Sequence, residues 1–283
     1  MLPVSAWSSY LSARATALGA FAARGVAAMP IGRAEARLQA YLGMGQAQAR
    51  ADARRSFFYT GDSVFHDQLL ASGSPNLLRA IIEKTSVDDF RLAREQTGGA
   101  VAVTLHYGPA TSVLPLWLAT ASQNGMIRQF GVIQNSRRNP SVMLSAERHA
   151  ELADCGFPFA DLDLARLGEV TVMRRALAIL RQGGIVLIFA DGQLPQTGAK
   201  RTVTCRLGRG SLVLPQGAEW LARSAEVPLF PLLVAPNRDG NRLVSLNADA
   251  SGDAQRTLQT LVDAAMDLDP APWSRWCCSA DHF

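Results

Sequence analysis

From Gly99 onward the chain alternates short apolar runs with longer amphipathic ones. Ala100–Leu105, Ile127–Ile133, Gly184–Ala190, Thr202–Arg206, Val227–Val234 and Arg242–Leu246 predict strands. Thr111–Ser122, Pro140–Cys155, Val170–Gln182, Ser211–Ser224 and Ala254–Asp267 predict helices. Strands alternating with helices of this length predict a parallel or mixed sheet covered on both faces. The run Gly99-Ala-Val-Ala-Val-Thr-Leu105 is apolar without alternation, as a strand buried on both sides requires.

Before Gly99 the pattern is helical and carries no strong strand signal. Pro30-Ile-Gly32 breaks a first helical stretch. Arg33–Leu42, Gln46–Phe58 and Ser63–Ser72 follow as separate helices, and Ser74-Pro75 starts another through Glu83. Thr85-Ser-Val-Asp88 reads as the cap of a last short helix. The predicted organisation is a helical N-terminal segment, residues 1–98, packed on an α/β core, residues 99–283. The predicted fold class is α/β, with a central mixed sheet flanked by helices.

Composition narrows the class. Of 283 residues, 48% are hydrophobic and 18% charged, an ordinary globular balance with a net charge of +4. That charge is too small to argue for nucleic acid as a partner, and it suits an acidic protein or an anionic membrane surface. Cys155 and Cys205 are isolated and Cys277 and Cys278 adjacent, so neither a disulfide framework nor a zinc site is indicated, and a reducing, cytoplasmic setting is the default. The best apolar stretch, Ala15–Met29, is interrupted by Arg24 and falls short of the roughly 20 residues a membrane span needs. The first helix either packs on the main domain or lies on a membrane surface as a peripheral element.

Four segments carry candidate chemistry. His106 ends the strand after Leu105 and opens the turn Tyr107-Gly-Pro-Ala110, a place where α/β proteins put reacting groups. Asp191 ends the strand from Gly184 and would be level with His106 if those strands run parallel; the alternative is a turn aspartate before Gly192. Arg137, Arg138 and Asn139 stand in a polar turn before Pro140, where an anion can meet a helix N-terminus. Arg206-Leu-Gly-Arg-Gly-Ser211, with Lys200 and Arg201 before it, reads as a basic glycine-rich turn entering a helix, with Arg209 and Ser211 placed to cradle a phosphate. For the polar turns, the alternative is a solvated surface.

In order and spacing these blocks resemble the lysophospholipid acyltransferase superfamily, and within it the bacterial lipid A late acyltransferase branch. The resemblance rests on Arg50-Ala-Asp-Ala-Arg-Arg-Ser-Phe-Phe58, Val101-Ala-Val-Thr-Leu-His106, Ser136-Arg-Arg-Asn-Pro140, Leu180-Arg-Gln-Gly-Gly-Ile-Val-Leu-Ile-Phe-Ala-Asp191, the stretch from Gly208 to Pro231, and Pro272-Trp-Ser-Arg-Trp276. It implies a glycerolipid acyltransferase-like fold. It also implies transfer of an acyl group from a thioester, on acyl carrier protein or coenzyme A, to a hydroxyl or amine, with His106 as general base. No metal or bound cofactor is implied; the acyl thioester is a co-substrate.

The sequence departs from the family motif at one point. That motif places an acid five residues after the histidine, and here Thr111 stands there, followed by Ser112. A threonine can hold the ring but brings no charge; losing the orienting carboxylate of a serine-protease triad costs about 10⁴ in rate. Three expectations follow. Another acid, Asp191 or Glu219, replaces the missing one; or the donor is activated enough for His106 alone; or the chain is a catalytically inactive homologue that binds an acyl chain or carrier protein.

Overall fold

In the computed structural model the described residues are 4–25, 31–83, 85–88, 98–135, 145–192, 202–237, 240–246 and 253–273. Helices α1 (Val4–Gly25), α2 (Ile31–Leu42), α3 (Gln46–Ser72) and α4 (Pro75–Glu83) come first. Strands β1 (Thr85–Asp88) and β2 (Ala100–Thr104), helix α5 (Ala110–Gln123) and strand β3 (Phe130–Gln134) follow. Next come α6 (Ala146–Asp154), β4 (Ala160–Asp163), α7 (Leu164–Leu167), α8 (Glu169–Arg181) and β5 (Ile185–Phe189). The chain continues through β6 (Thr202–Leu207), β7 (Gly210–Pro215), α9 (Gly217–Ala225), β8 (Leu229–Asn237), β9 (Gly240–Ser245) and α10 (Ala254–Leu268).

The central sheet is mixed, in the order β1-β9-β8-β2-β5-β3-β4. Strands β8, β2, β5, β3 and β4 run parallel; β9 returns antiparallel to β8 and carries β1 on its outer edge. Alternate residues of β2 serve opposite faces. Val101 and Val103 join a core with α8, α9 and α10, while Ala100 and Ala102 join one with α4 and α5. Helices therefore cover both faces, as the apolar strand runs required.

Helix α3 belongs to both cores. Ala49 and Ala53 pack in one, and Phe65, Leu69 and Leu70 in the other. Between them the helix crosses the carboxyl end of β2, where the Ser63 hydroxyl donates to the Gly108 carbonyl at 2.7 Å. Helix α1 is tied to α3 by a buried polar network. Arg14 makes a two-point ion pair with Asp62, and the Tyr10 hydroxyl donates to His66 Nε2 at 3.0 Å. Burial pushes the Tyr10 phenol up to about 12, so it remains a donor. Among the described residues no helix is long and apolar enough to cross a membrane.

Several expectations are corrected. Gln46–Ser72 is one helix, because Gly61 and Asp62 are buried against neighbours instead of forming a turn. Thr85–Asp88 is an edge strand paired with β9, so the segment before residue 99 is not wholly helical. Ala160–Asp163 is a further strand on the other edge. Ser211–Ser224 is not one helix: Gly210–Pro215 pairs with Thr202–Leu207 as an antiparallel hairpin, and the helix begins at Gly217.

Candidate active site

Adjacent parallel strands bring the first two candidates together. Thr104 of β2 is the register partner of Phe189 of β5, and the Ala190 N–H donates to the Thr104 carbonyl at 2.8 Å. Two residues further on, His106 and Asp191 emerge side by side from the carboxyl ends of the sheet. The His106 main-chain N–H is shared between both Asp191 oxygens at 3.0 Å each, and Nδ1 lies 2.8 Å from Oδ1. Asp191 is essentially buried, its side chain 1% exposed against 16% for His106. A carboxylate so placed needs donors around it, and Trp273 Nε1 supplies another at 2.8 Å. With the Nδ1 proton directed at Asp191, the lone pair of the neutral ring sits on Nε2. The Phe189 ring stacks at a tilt on the imidazole, centroid to centroid 4.5 Å, and limits its rotation.

The turn after His106 is locked from three sides. Gly108 takes a left-handed φ of 56°, and a Cβ there would stand 3.3 Å from the Val234 carbonyl, so glycine suits this bend. Its N–H makes a long bond, 3.4 Å, to the Pro272 carbonyl. The Tyr107 hydroxyl donates to the Asp269 carbonyl at 2.7 Å; burial and the Asp269 charge push that phenol up, keeping it protonated. Arg55 and Tyr59 of α3 reach the Asp269 carboxylate from the other direction. The C-terminal turn 269–273 thus closes against the histidine turn.

Thr111, the residue in the motif-acid position, donates from Oγ1 to Asp67 Oδ1 on α3 at 2.6 Å. Burial pushes the Asp67 carboxyl up to about 6, opposed by the Thr111 and Ser112 hydroxyls and by the His106 charge. Asp67 and Trp273 are the residues that sequence reasoning missed. Asp67 lies far upstream with no local signature, whereas Trp273 sat in a recognised block without a role.

The remaining candidates stand elsewhere. Glu219 pairs with Arg223 one turn along α9. Arg209 is in the β6–β7 turn, where its N–H donates to the Tyr41 carbonyl at 2.7 Å and its side chain lies against Gly43. Ser211 is an exposed strand residue opposite Arg206. The expected glycine-rich turn entering a helix is therefore a hairpin turn, followed by strand β7 and not by a helix. Arg137, Arg138, Asn139, Lys200 and Arg201 lie outside the described residues. Among the described residues no group of three His, Cys, Asp or Glu side chains is arranged to hold a metal ion.

No protein-family model and no curated protein matches the chain. Among solved structures, the chain is similar to the 1-acyl-sn-glycerophosphate (LPA) acyltransferase PlsC from Thermotoga maritima. The two are 12% identical with a TM-score of 0.37, over 80% of this chain and 83% of that one.

Proposed function

We propose that the chain is an acyltransferase that moves an acyl group from a thioester to a hydroxyl or amine, with His106 as general base and Asp191 as its orienting carboxylate. The observation that carries this reading is the doubly bonded His106–Asp191 pair at the carboxyl ends of β2 and β5. Nε2 takes the proton of the acceptor hydroxyl or amine as its heteroatom attacks the thioester carbonyl. The tetrahedral intermediate then collapses, the C–S bond breaks, and Nε2–H returns the proton to the departing thiolate. The products are the ester or amide and the free thiol. Asp191 keeps the ring in the tautomer this cycle requires and stabilises the imidazolium that forms between the two proton transfers. The Ala110 N–H, at the start of α5, is the nearest candidate in sequence for steadying the oxyanion, because the Tyr107 and Gly108 N–H groups already meet the Leu105 and Pro272 carbonyls.

The donor is an acyl carrier protein or coenzyme A thioester. Arg137 and Arg138 are its proposed anchors, a role resting on their charge and sequence position. A peripheral place at the inner face of the cytoplasmic membrane belongs to the same proposal.

The test is intact-mass detection of acyl transfer from a panel of acyl carrier protein and coenzyme A thioesters to hydroxyl and amine acceptors. Catalytic transfer that disappears in a folded His106→Ala variant supports the reading. Transfer undiminished in that variant removes His106 as base. Stoichiometric binding without turnover identifies a binding homologue instead.

A further inference from the structure

The chemistry proposed for His106 and Asp191 leaves Asp67 unexplained. It sits one turn beyond Ser63 on α3, so a single helical face touches both the turn that carries His106 and the first turn of α5. Its partners among the described residues are hydroxyls, Thr111 Oγ1 at 2.6 Å and Ser112. The His106 imidazole also acts on it electrostatically. Two carboxyls therefore reach this segment from different elements: Asp191, just past β5, in contact with His106 Nδ1, and Asp67 on α3, in contact with Thr111.

Packing alone does not call for an acid at this position. An asparagine would accept the same Thr111 proton and would escape the desolvation that burdens a buried carboxylate. Thr111 and Ser112 stand in the first turn of α5, where their hydroxyls and the helix dipole oppose the burial that pushes the Asp67 carboxyl up. A partly buried acid held by hydroxyls, with no guanidinium or ammonium bonded to it among the described residues, on the segment that follows a strand-end histidine, is an arrangement that recurs at active sites.

We propose that Asp67 is a second working carboxyl of this site, a positioning residue that acts on His106 through the turn held by Thr111 and Ser112. Its negative charge stabilises the imidazolium while His106 carries the acceptor's proton, and Asp67 itself exchanges none. The inference rests on His106 being the base, and it assigns Thr111 a function: the hydroxyl at the motif position presents a carboxylate that belongs to another helix.

The experiment compares Asp67→Asn, Thr111→Asp and the reciprocal double variant Asp67→Thr/Thr111→Asp, each checked for folding by circular dichroism. Asp67→Asn should lower kcat about 10-fold or more, the scale of one unit of lost charge coupling, with KM nearly unchanged. Thr111→Asp alone should also lose activity, because it sets two carboxyls against each other. The double variant places a single carboxyl back at the same spot from the α5 side and should recover most of kcat. Wild-type kcat in Asp67→Asn, or no recovery in a folded double variant, overturns the proposal.

A second measurement does not depend on acyl transfer. Carbon-13 NMR titration of the Asp67 carboxyl should show its midpoint moving to higher pH in His106→Gln, since a cation that favours the carboxylate has gone. An unmoved midpoint overturns the coupling even if transfer is seen. Absence of transfer from every thioester, with the midpoint moved, overturns the acyltransferase reading and keeps Asp67 as an electrostatic partner of His106.

Discussion

Asp191 holds His106 by its main chain and its ring at once: one carboxylate accepts the backbone N–H at 3.0 Å and faces Nδ1 at 2.8 Å. The backbone contact fixes where the ring begins and the Nδ1 contact fixes how it is turned. An acid five residues downstream, on the following helix, would have no such hold on the main chain. With Thr111 and no acid five residues after His106, the imidazole is oriented all the same, because the residue that follows a neighbouring strand performs that task.

Asp191→Asn separates charge from shape. The amide can still accept from the His106 N–H, but its NH₂ meets either the Nδ1 proton or the Trp273 indole N–H, both donors. The rate of acyl transfer should fall by about 10³–10⁴, comparable to the loss in a protease triad whose aspartate becomes asparagine. Steady-state kinetics on the folded variant check this, and a loss under ten-fold would mean Asp191 serves the fold alone.

Trp273→Phe removes the third donor while keeping most of the apolar volume. A buried carboxylate left short of a partner costs about 1–3 kcal/mol. Urea unfolding should show that loss, and kcat should drop with it because the Asp191 side chain gains freedom. Unchanged stability would show that another group replaces the indole.

The Tyr10–His66–Asp62–Arg14 network makes a pH prediction. His66 is buried and neutral, its Nδ1 2.7 Å from the Asp62 carbonyl and its Nε2 accepting from Tyr10. Burial and the Arg14 charge lower its pKa, against the opposing pull of Asp62. A histidine with a depressed folded-state pKa binds protons more readily when unfolded. Its contribution is complete above the unfolded value, about 6.5, and fades as pH falls below it. Unfolding free energies from pH 7.5 to 5 should therefore decline more steeply for wild type than for His66→Gln. Parallel curves would count against a neutral His66.

Gly99→Ala tests the fold beneath the site. An added Cβ at this position would stand 2.2 Å from the Leu180 carbonyl and 2.9 Å from that of Gly184, backbone atoms that cannot swing aside. Strand β2 would be displaced where it starts. The variant should be recovered mostly insoluble or with a strongly lowered melting temperature, among the severe cases for a single substitution.

The site was partly legible in sequence because buried parallel strands announce themselves. Val101 to Leu105, Thr104 apart, and Ile185 to Ala190 are apolar, so the polar residues that end them, His106 and Asp191, stand out and fall level. Asp67 could not be found that way. It sits on a helix whose course was hidden by Tyr59-Thr-Gly-Asp62, a stretch that reads as a break until Arg14 is seen to neutralise Asp62. The β6–β7 hairpin was missed for a related reason. Ser211-Leu-Val-Leu214 is too short to separate strand from helix by spacing, and its inward Leu212 and Leu214 acquire meaning only from the strand opposite. Edge strands β1 and β4 are short and polar, and their pairing partners decide them.

Because α3 is seated in both cores, it behaves mechanically as a lever across the His106–Asp191 site. Ala49 and Asp67 lie about 27 Å apart along its axis. Its two ends are clamped in separate hydrophobic layers, and Ser63 between them touches the turn that follows His106. A bulky residue forced in at Ala49 or Ala53 would slide or tilt the whole rod and carry Ser63 and Asp67 with it. Substitutions in a layer remote from His106 should then shift the imidazole before they are felt as unfolding, and the helix makes His106 a sensor of packing on both sides of the sheet.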